Sequence, residues 1–259
     1  MAVPRCLTIA SSDSSGGAGI QADLKAFAAA GCHGLSALVA ATAQNTMAVT
    51  AVHELPAAFV RQQLEAVFDD IGVDAAKTGM LFSAPLIDVV ADFLEGHRVP
   101  LVVDPVMVAS SGAKLLKDTA VGALVERLLP LAAVVTPNLA EAEVLAGRRG
   151  TRRELSEAIH ARGAAAVVVT GGHGAEAVDH LFDGSKHYEL PVERLDVRAT
   201  HGAGCTHSAT LAAYLARGEL LLDACRAAAL AAGEAVRYGL VEIGAGEGPV
   251  DVLGVKGRR

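Results

Sequence analysis

Leu7-Thr8-Ile9-Ala10-Ser11-Ser12-Asp13-Ser14-Ser15-Gly16-Gly17-Ala18-Gly19-Ile20-Gln21-Ala22-Asp23-Leu24 is the stretch that decides the fold. A four-residue apolar run ends in a polar, glycine-rich segment, after which Ile20, Leu24, Phe27 and Ala28 share one face of a 3.6-residue period. The reading is strand, tight loop, helix. The unit recurs: apolar runs short enough for buried strands stand at Leu35 to Ala41, Ala75 to Thr78, Leu101 to Asp104, Ala133 to Thr136 and Ala165 to Thr170. Val60, Leu64, Val67, Phe68 and Ile71 make a second helical stripe, and Leu86, Ile87, Val90 and Leu94 a third. This alternation predicts an α/β fold whose mostly parallel sheet is covered by helices on both faces.

The segment from Ala177 to Val197 reads as a small β excursion with a turn at Asp183-Gly184 and a break at Pro191. Two helices are expected after it, one carrying Leu211, Ala212 and Leu215 and one running from about Leu221 to Tyr238. No repeat or low-complexity linker divides the chain, so residues 1–259 are expected to form one domain.

Composition narrows the function. With 52% hydrophobic residues, 3% aromatic and no Trp, the layers must close on Ala, Leu, Val and Gly. A net charge of -7 supplies no basic field for nucleic acid or an acidic membrane, so any phosphate must be bound locally. Cys6, Cys32, Cys205 and Cys225 form no CxxC pair and no zinc-finger spacing, which points to free thiols in a reducing, cytoplasmic compartment. The N-terminal apolar run is too short for a signal-peptide core and reads as the first strand. Arg226, Glu234 and Arg237 interrupt the Ala-rich C-terminal region before it reaches the length of a membrane span.

In sheets of this kind ligands sit beyond the carboxyl ends of the strands. Those ends carry residues 11–17 (Ser-Ser-Asp-Ser-Ser-Gly-Gly), 42–46 (Thr-Ala-Gln-Asn-Thr), 77–80 (Lys-Thr-Gly-Met), 104–107 (Asp-Pro-Val-Met), 136–141 (Thr-Pro-Asn-Leu-Ala-Glu) and 170–173 (Thr-Gly-Gly-His). The most informative segment lies later. Gly202-Ala203-Gly204-Cys205 opens a helix, and two glycines let consecutive N–H groups converge on an anion, as a transferring phosphoryl group requires. Cys205 in the first turn is expected to have its pKa lowered toward neutrality by the helix dipole, which would make it a proton acceptor or a group that positions one. The other three cysteines are read as small packed residues. No GxxxxGK[ST] cradle and no GxGxxG after the first strand are present, which argues against a Walker A site and a nicotinamide or flavin enzyme.

Taken in order, these segments together with Thr200-His201-Gly202-Ala203-Gly204-Cys205-Thr206 resemble the hydroxymethylpyrimidine/phosphomethylpyrimidine kinases of thiamin biosynthesis, over nearly the whole chain. The resemblance implies a ribokinase-like three-layer α/β/α sandwich and a Mg2+- and ATP-dependent enzyme, often a homodimer. It would phosphorylate 4-amino-5-hydroxymethyl-2-methylpyrimidine and then its monophosphate. It places the pyrimidine near Asp23, Gln44 and Met80, where a carboxamide matches the donor and acceptor of an aminopyrimidine edge. It places Asn138, Thr170, Gly171 and Gly172 at the nucleotide, Asp104 and Glu141 at the metal, and residues 202–205 at the reacting phosphoryl group. Lys77 is read as a solvated or salt-bridged lysine, and His173, His201 and His207 as hydrogen-bonding loop residues.

The sequence departs from the family pattern at Ser11, where Gly is common, and at Ser110 and Thr170, where Lys is common. Two missing cations put the second phosphorylation in more doubt than the first. The alternatives are a pyridoxal or pyridoxine kinase and a pyrimidine-binding module without turnover.

Overall fold

A row of side chains crossing the sheet shows how the layers are built. Thr8, Lys77, Val102 and Val134 are registered neighbours on adjacent parallel strands and point to one face, while Leu7, Ile9, Ala76 and Val103 point to the other. Both faces are covered, so the strands read as nearly continuous apolar runs rather than alternating ones. The computed structural model that shows this describes residues 2–108, 112, 115–171 and 177–257. Gly172, and with it Ser110 and His173, lies outside the described residues.

In chain order the elements are β1 (Arg5–Asp13), α1 (Gly19–Ala29), β2 (His33–Gln44), β3 (Val49–Glu54), α2 (Ala57–Asp70), β4 (Ala75–Thr78), α3 (Ala84–Glu95), β5 (Leu101–Val103), α4 (Asp118–Ala123), β6 (Val134–Val135), α5 (Leu139–Ala146), α6 (Arg152–His160), β7 (Val167–Val169), β8 (Val178–Phe182), β9 (His187–Pro191), α7 (Ala203–Ala216) and α8 (Leu221–Arg237). The strands form one sheet in the order β3-β2-β1-β4-β5-β6-β7-β8-β9. From β2 to β7 all neighbours are parallel, and β3, β8 and β9 add antiparallel edges.

The α/β sandwich expected from the sequence is present, as is the β excursion, whose hairpin turns at Asp183 and Gly184. Strand β3 was not among the expected elements. Thr50 and His53 interrupt its apolar residues, so no run long enough to read as a buried strand exists there. Helices α5 and α6 also had no named stripe. Both start on capping boxes, Asn138 with Glu141 and Thr151 with Glu154, in which side chain and backbone satisfy each other's orphan groups.

Helices α1, α7 and α8 cover the face that carries Cys6, Val102 and Val168, and α2, α3 and α6 pack on the opposite core. The chain steps from β1 to β2 on one side and returns to β4 on the other, so the strand order reverses at β1 and β4. A crevice opens at such a switch point. The N-terminus of α7 lies against β4 and β5 there, and the helix packs along α1.

Candidate active site

The crevice is floored by buried charge. Lys77 is completely enclosed on β4, and its Nζ donates to both oxygens of Asp23 on α1, at 2.9 and 3.0 Å, and stands 3.5 Å from Asp104 Oδ2. Thr8 donates its hydroxyl to Asp23 Oδ2 at 2.6 Å, and Ser208 on α7 donates to Asp104 Oδ2 at 2.8 Å. Space for the ammonium comes from Gly79, where a Cβ would lie 3.1 Å from Nζ. Desolvation works against a charged Lys77, but the charges of Asp23 and Asp104 and the hydrogen bond to Asp23 outweigh it and hold the proton on, well above the ordinary lysine range.

Two sequence expectations meet this arrangement. Lys77, read as a solvated or salt-bridged lysine, is salt-bridged and fully enclosed, and it ties β4, α1 and the loop after β5 together. Asp23, expected near the pyrimidine, is fully buried, with its oxygens accepting from Thr8 and Lys77.

Above this floor the chain turns into α7. Gly202 has φ 87, a left-handed conformation, and a Cβ there would fall 1.8 Å from the carbonyl oxygen of Gly17. Only glycine fits. Ala203, Gly204 and Cys205 follow as the first turn, with Gly204 open to the crevice and no atom within 4 Å of where its Cβ would stand. N–H groups at a helix start have no intrahelical acceptor; here that of Ala203 donates to the Thr200 carbonyl at 3.1 Å, and those of Gly204 and Cys205 follow it at the place where an anion-binding turn was expected.

Cys205 does not behave as expected. Burial pushes its thiol up to about 12. Asp23 and Asp104 act in the same direction, and the opposing field of Lys77 and the backbone N–H of Gly19 do not overcome them. The enclosed carboxylates below the helix oppose its dipole. In the free protein the group is a thiol.

The loop between β1 and α1 is organised by Asp13. Its carboxylate accepts the N–H and the hydroxyl of Ser15, the N–H of Ala18 and Nε2 of His201 at 2.8 Å. Burial alone would raise this carboxyl, but those donors win and hold it at about 2. Gln44, at the end of β2, faces the same loop: Ser14 bonds both its N–H and its carbonyl, Thr42 donates to its Oε1 at 3.2 Å, and its Nε2 is 3.5 Å from His201 Nε2. Met80 lines the floor nearby, with its carbonyl accepting the hydroxyl of Ser11 at 3.3 Å.

On the other side stand the residues expected at the nucleotide and metal. Asn138 caps α5 by accepting the N–H of Glu141, and the Glu141 carboxylate accepts the N–H groups of Asn138 and Met107. Burial, then the charge of Asp104, raises the Glu141 carboxyl to about 7 despite those two donors. Thr170 bridges to Asn138 across the end of the sheet, and the buried N–H of Gly171 is held at 2.7 Å by Asp179, so this glycine already has a partner within the fold. No group of three or more His, Cys, Asp or Glu among the described residues is arranged to hold a metal. Asp104 and Glu141 fit a different arrangement. A buried Glu141 carboxyl raised by the nearby charge of Asp104 gains from a cation, and Mg2+ commonly takes one or two carboxylates, several waters and substrate phosphates.

The phosphomethylpyrimidine kinase model matches residues 13–251, from the Asp13 loop to the segment beyond α8. The chain belongs to that family. It is 51% identical over 252 residues to a hydroxymethylpyrimidine/phosphomethylpyrimidine kinase of Rhizobium meliloti, covering 94% of this chain and 95% of the relative. A phosphomethylpyrimidine kinase structure from Clostridium difficile superposes with a TM-score of 0.78 at 40% identity, covering 87% of this chain and 96% of the other. The ADP complex of a Bacillus subtilis pyridoxal kinase superposes with a TM-score of 0.89 at 38% identity, over 99% of this chain and all of that one. The sandwich is therefore ribokinase-like, as the motifs implied.

Proposed function

We propose that this single-domain enzyme transfers the γ-phosphoryl group of ATP to the hydroxymethyl group of 4-amino-5-hydroxymethyl-2-methylpyrimidine, and then phosphorylates the monophosphate to the diphosphate. The observation that carries the reading is the turn at Gly202–Cys205. It sets the first-turn N–H groups of Gly204 and Cys205 beside a crevice whose other walls hold Gln44 and Met80 on one side and Asp104 and Glu141 on the other.

Gln44 presents a carboxamide to the aminopyrimidine edge, with Met80 against the ring. The turn at 202–205 stabilises charge on the transferring phosphoryl group, where catalysis is largely positioning and electrostatics. The hydroxyl oxygen forms the new P–O bond as the bond to the β-phosphate oxygen breaks and ADP leaves. Cys205, as a thiol, orients that hydroxyl. Because the transition state is loose, the hydroxyl proton can pass late to the phosphoryl oxygens, and no resting thiolate is needed. Asn138, Thr170 and Gly171 frame the nucleotide side, to which the family pattern also assigns Gly172. Asp104 and Glu141 would hold Mg2+, which when bound neutralises phosphate charge. The reading includes a cytoplasmic homodimer, and light scattering on the purified protein tests the dimer.

The likeness to pyridoxal kinase structures, at 38% identity over the full length, keeps a second acceptor in view, since pyridoxal also offers a ring hydroxymethyl group. Incubation of the protein with Mg2+-ATP and, in parallel, the hydroxymethylpyrimidine, its monophosphate and pyridoxal, followed by mass analysis, separates the two. Monophosphate and diphosphate pyrimidines support the proposal; pyridoxal phosphate as the main product moves the assignment; binding without any phosphorylated product from the three sinks it.

A further inference from the structure

His201 was read as an ordinary loop histidine, yet it stands where the two halves of the crevice meet. Its ring is buried, and Nε2 lies 2.8 Å from Asp13 Oδ2 and 3.5 Å from Gln44 Nε2. Since the Asp13 carboxylate is charged, Nε2 carries the proton and donates it to Asp13; the Gln44 amide nitrogen, itself a donor, is a neighbour only, and Gln44 is joined to the same loop through Ser14. The other donors to Asp13, Ser15 and Ala18, belong to the same loop, so His201 is the donor that comes from the α7 side, 188 residues away in sequence.

The packing repeats the connection. A Cβ on Gly17 would lie 2.3 Å from His201 Cδ2, and a Cβ on Gly202 would lie 1.8 Å from the Gly17 carbonyl oxygen. Imidazole, Gly17 and Gly202 are thus in mutual contact with no room for a side chain. The backbone of His201 is itself fixed, donating to Gly248 and accepting from Val250.

We infer that His201 is a positioning residue, which through Asp13 registers the loop 13–19 and Gln44 on the anion-binding turn 202–205. In this way the place where a ring is held fixes the distance from its hydroxyl to the phosphoryl site. The inference rests on the phosphotransfer reading for its kinetic consequence alone; the clamp itself is a property of the fold. A misplacement of about 1 Å between reacting groups can lower turnover on the order of a hundredfold, so a contact that touches no substrate can still set the rate.

The test compares two polar substitutions that differ in reach. Gln can place its Nε2 near the position of the imidazole Nε2, whereas Asn falls short. H201Q should keep turnover within about threefold of the parent and H201N should lose about 10- to 100-fold, with the KM for ATP unchanged in both. Hydrogen exchange of the amides across 14–19 should speed up in H201N and stay slow in H201Q. Equal turnover of the two variants, or equal exchange, overturns the inference. A parent protein that phosphorylates none of the acceptors sinks the kinase reading instead, and the exchange comparison still decides the clamp.

Discussion

Replacing Lys77 by Met removes the ammonium that compensates Asp23 and Asp104, at nearly constant volume. Asp23 is fully enclosed and accepts 2.9 and 3.0 Å bonds from that ammonium, so K77M leaves a buried carboxylate whose side-chain donor is the Thr8 hydroxyl. Removing one member of a buried ion pair costs about 3–5 kcal/mol, far more than the pair itself contributes relative to an apolar replacement. D23N alone should be destabilising for the converse reason, because the ammonium loses its nearest counter-charge. The double variant, K77M with D23N, removes both charges while an amide can still accept from Thr8. It should therefore be more stable than K77M alone, with a coupling of at least about 2 kcal/mol in the double-mutant cycle. Urea unfolding of the four proteins at neutral pH measures this. Additive effects, or a K77M loss under about 1 kcal/mol, would show that the enclosed pair does not hold the crevice together. Lys77 also lowers the Cys205 pKa, so alkylation of Cys205 at alkaline pH should be slower in K77M than in the parent.

Cys205→Ala should reduce turnover at least about tenfold with little change in stability, and unchanged turnover would remove Cys205 from the reaction. Because the thiol sits near 12, iodoacetamide should label Cys205 slowly at pH 7.5 and progressively faster at higher pH; fast labelling at neutral pH would contradict the enclosed carboxylates. Gly202→Ala forces an L side chain into the left-handed region, costing about 1–2 kcal/mol before the clash with the Gly17 carbonyl, and turnover should fall by about a hundredfold or more, read by melting and by product formation. Glu141 binds its proton more tightly folded, at about 7, than at the ordinary 4.5, so its contribution to stability falls as pH rises from about 4.5 to 7. In E141Q that slope should disappear from unfolding curves taken across the window.

The central parallel strands were legible because strands covered on both faces leave short uninterrupted apolar runs, as at Ala75 to Thr78 and Leu101 to Asp104. The edge strand β3 left no such mark, being half exposed and alternating weakly. Helices α5 and α6 were signalled by capping boxes rather than by stripes. Glu141 three residues after Asn138 and Glu154 three after Thr151 were visible in the sequence as helix starts.

The site was legible as a set of strand ends and illegible as a set of charges. Position in the chain placed Gly202 to Cys205 at the start of a helix, and the helix start is there. The state of Cys205 depended on something no local pattern contains: Asp23, Lys77 and Asp104, contributed by α1, β4 and the loop after β5, meet under that helix. A helix N-terminus lowers a thiol pKa when water or a cation lies beyond it, and here burial and the carboxylates of Asp23 and Asp104 outweigh the single ammonium of Lys77. For the same reason His201 and Lys77 looked like ordinary polar residues. Each has its partner far away in sequence, 188 and 54 residues off, and only closure of the sheet brings Asp13 to the one and Asp23 to the other. On the proposed reading, a phosphoryl acceptor entering this crevice meets a neutral thiol, an N–H turn and the Asp104 and Glu141 carboxyls that would hold Mg2+. That combination favours binding of a polyanion with its metal over generation of a free nucleophile, and it ties the rate of the reaction to how well the ring side and the phosphoryl side are held in register.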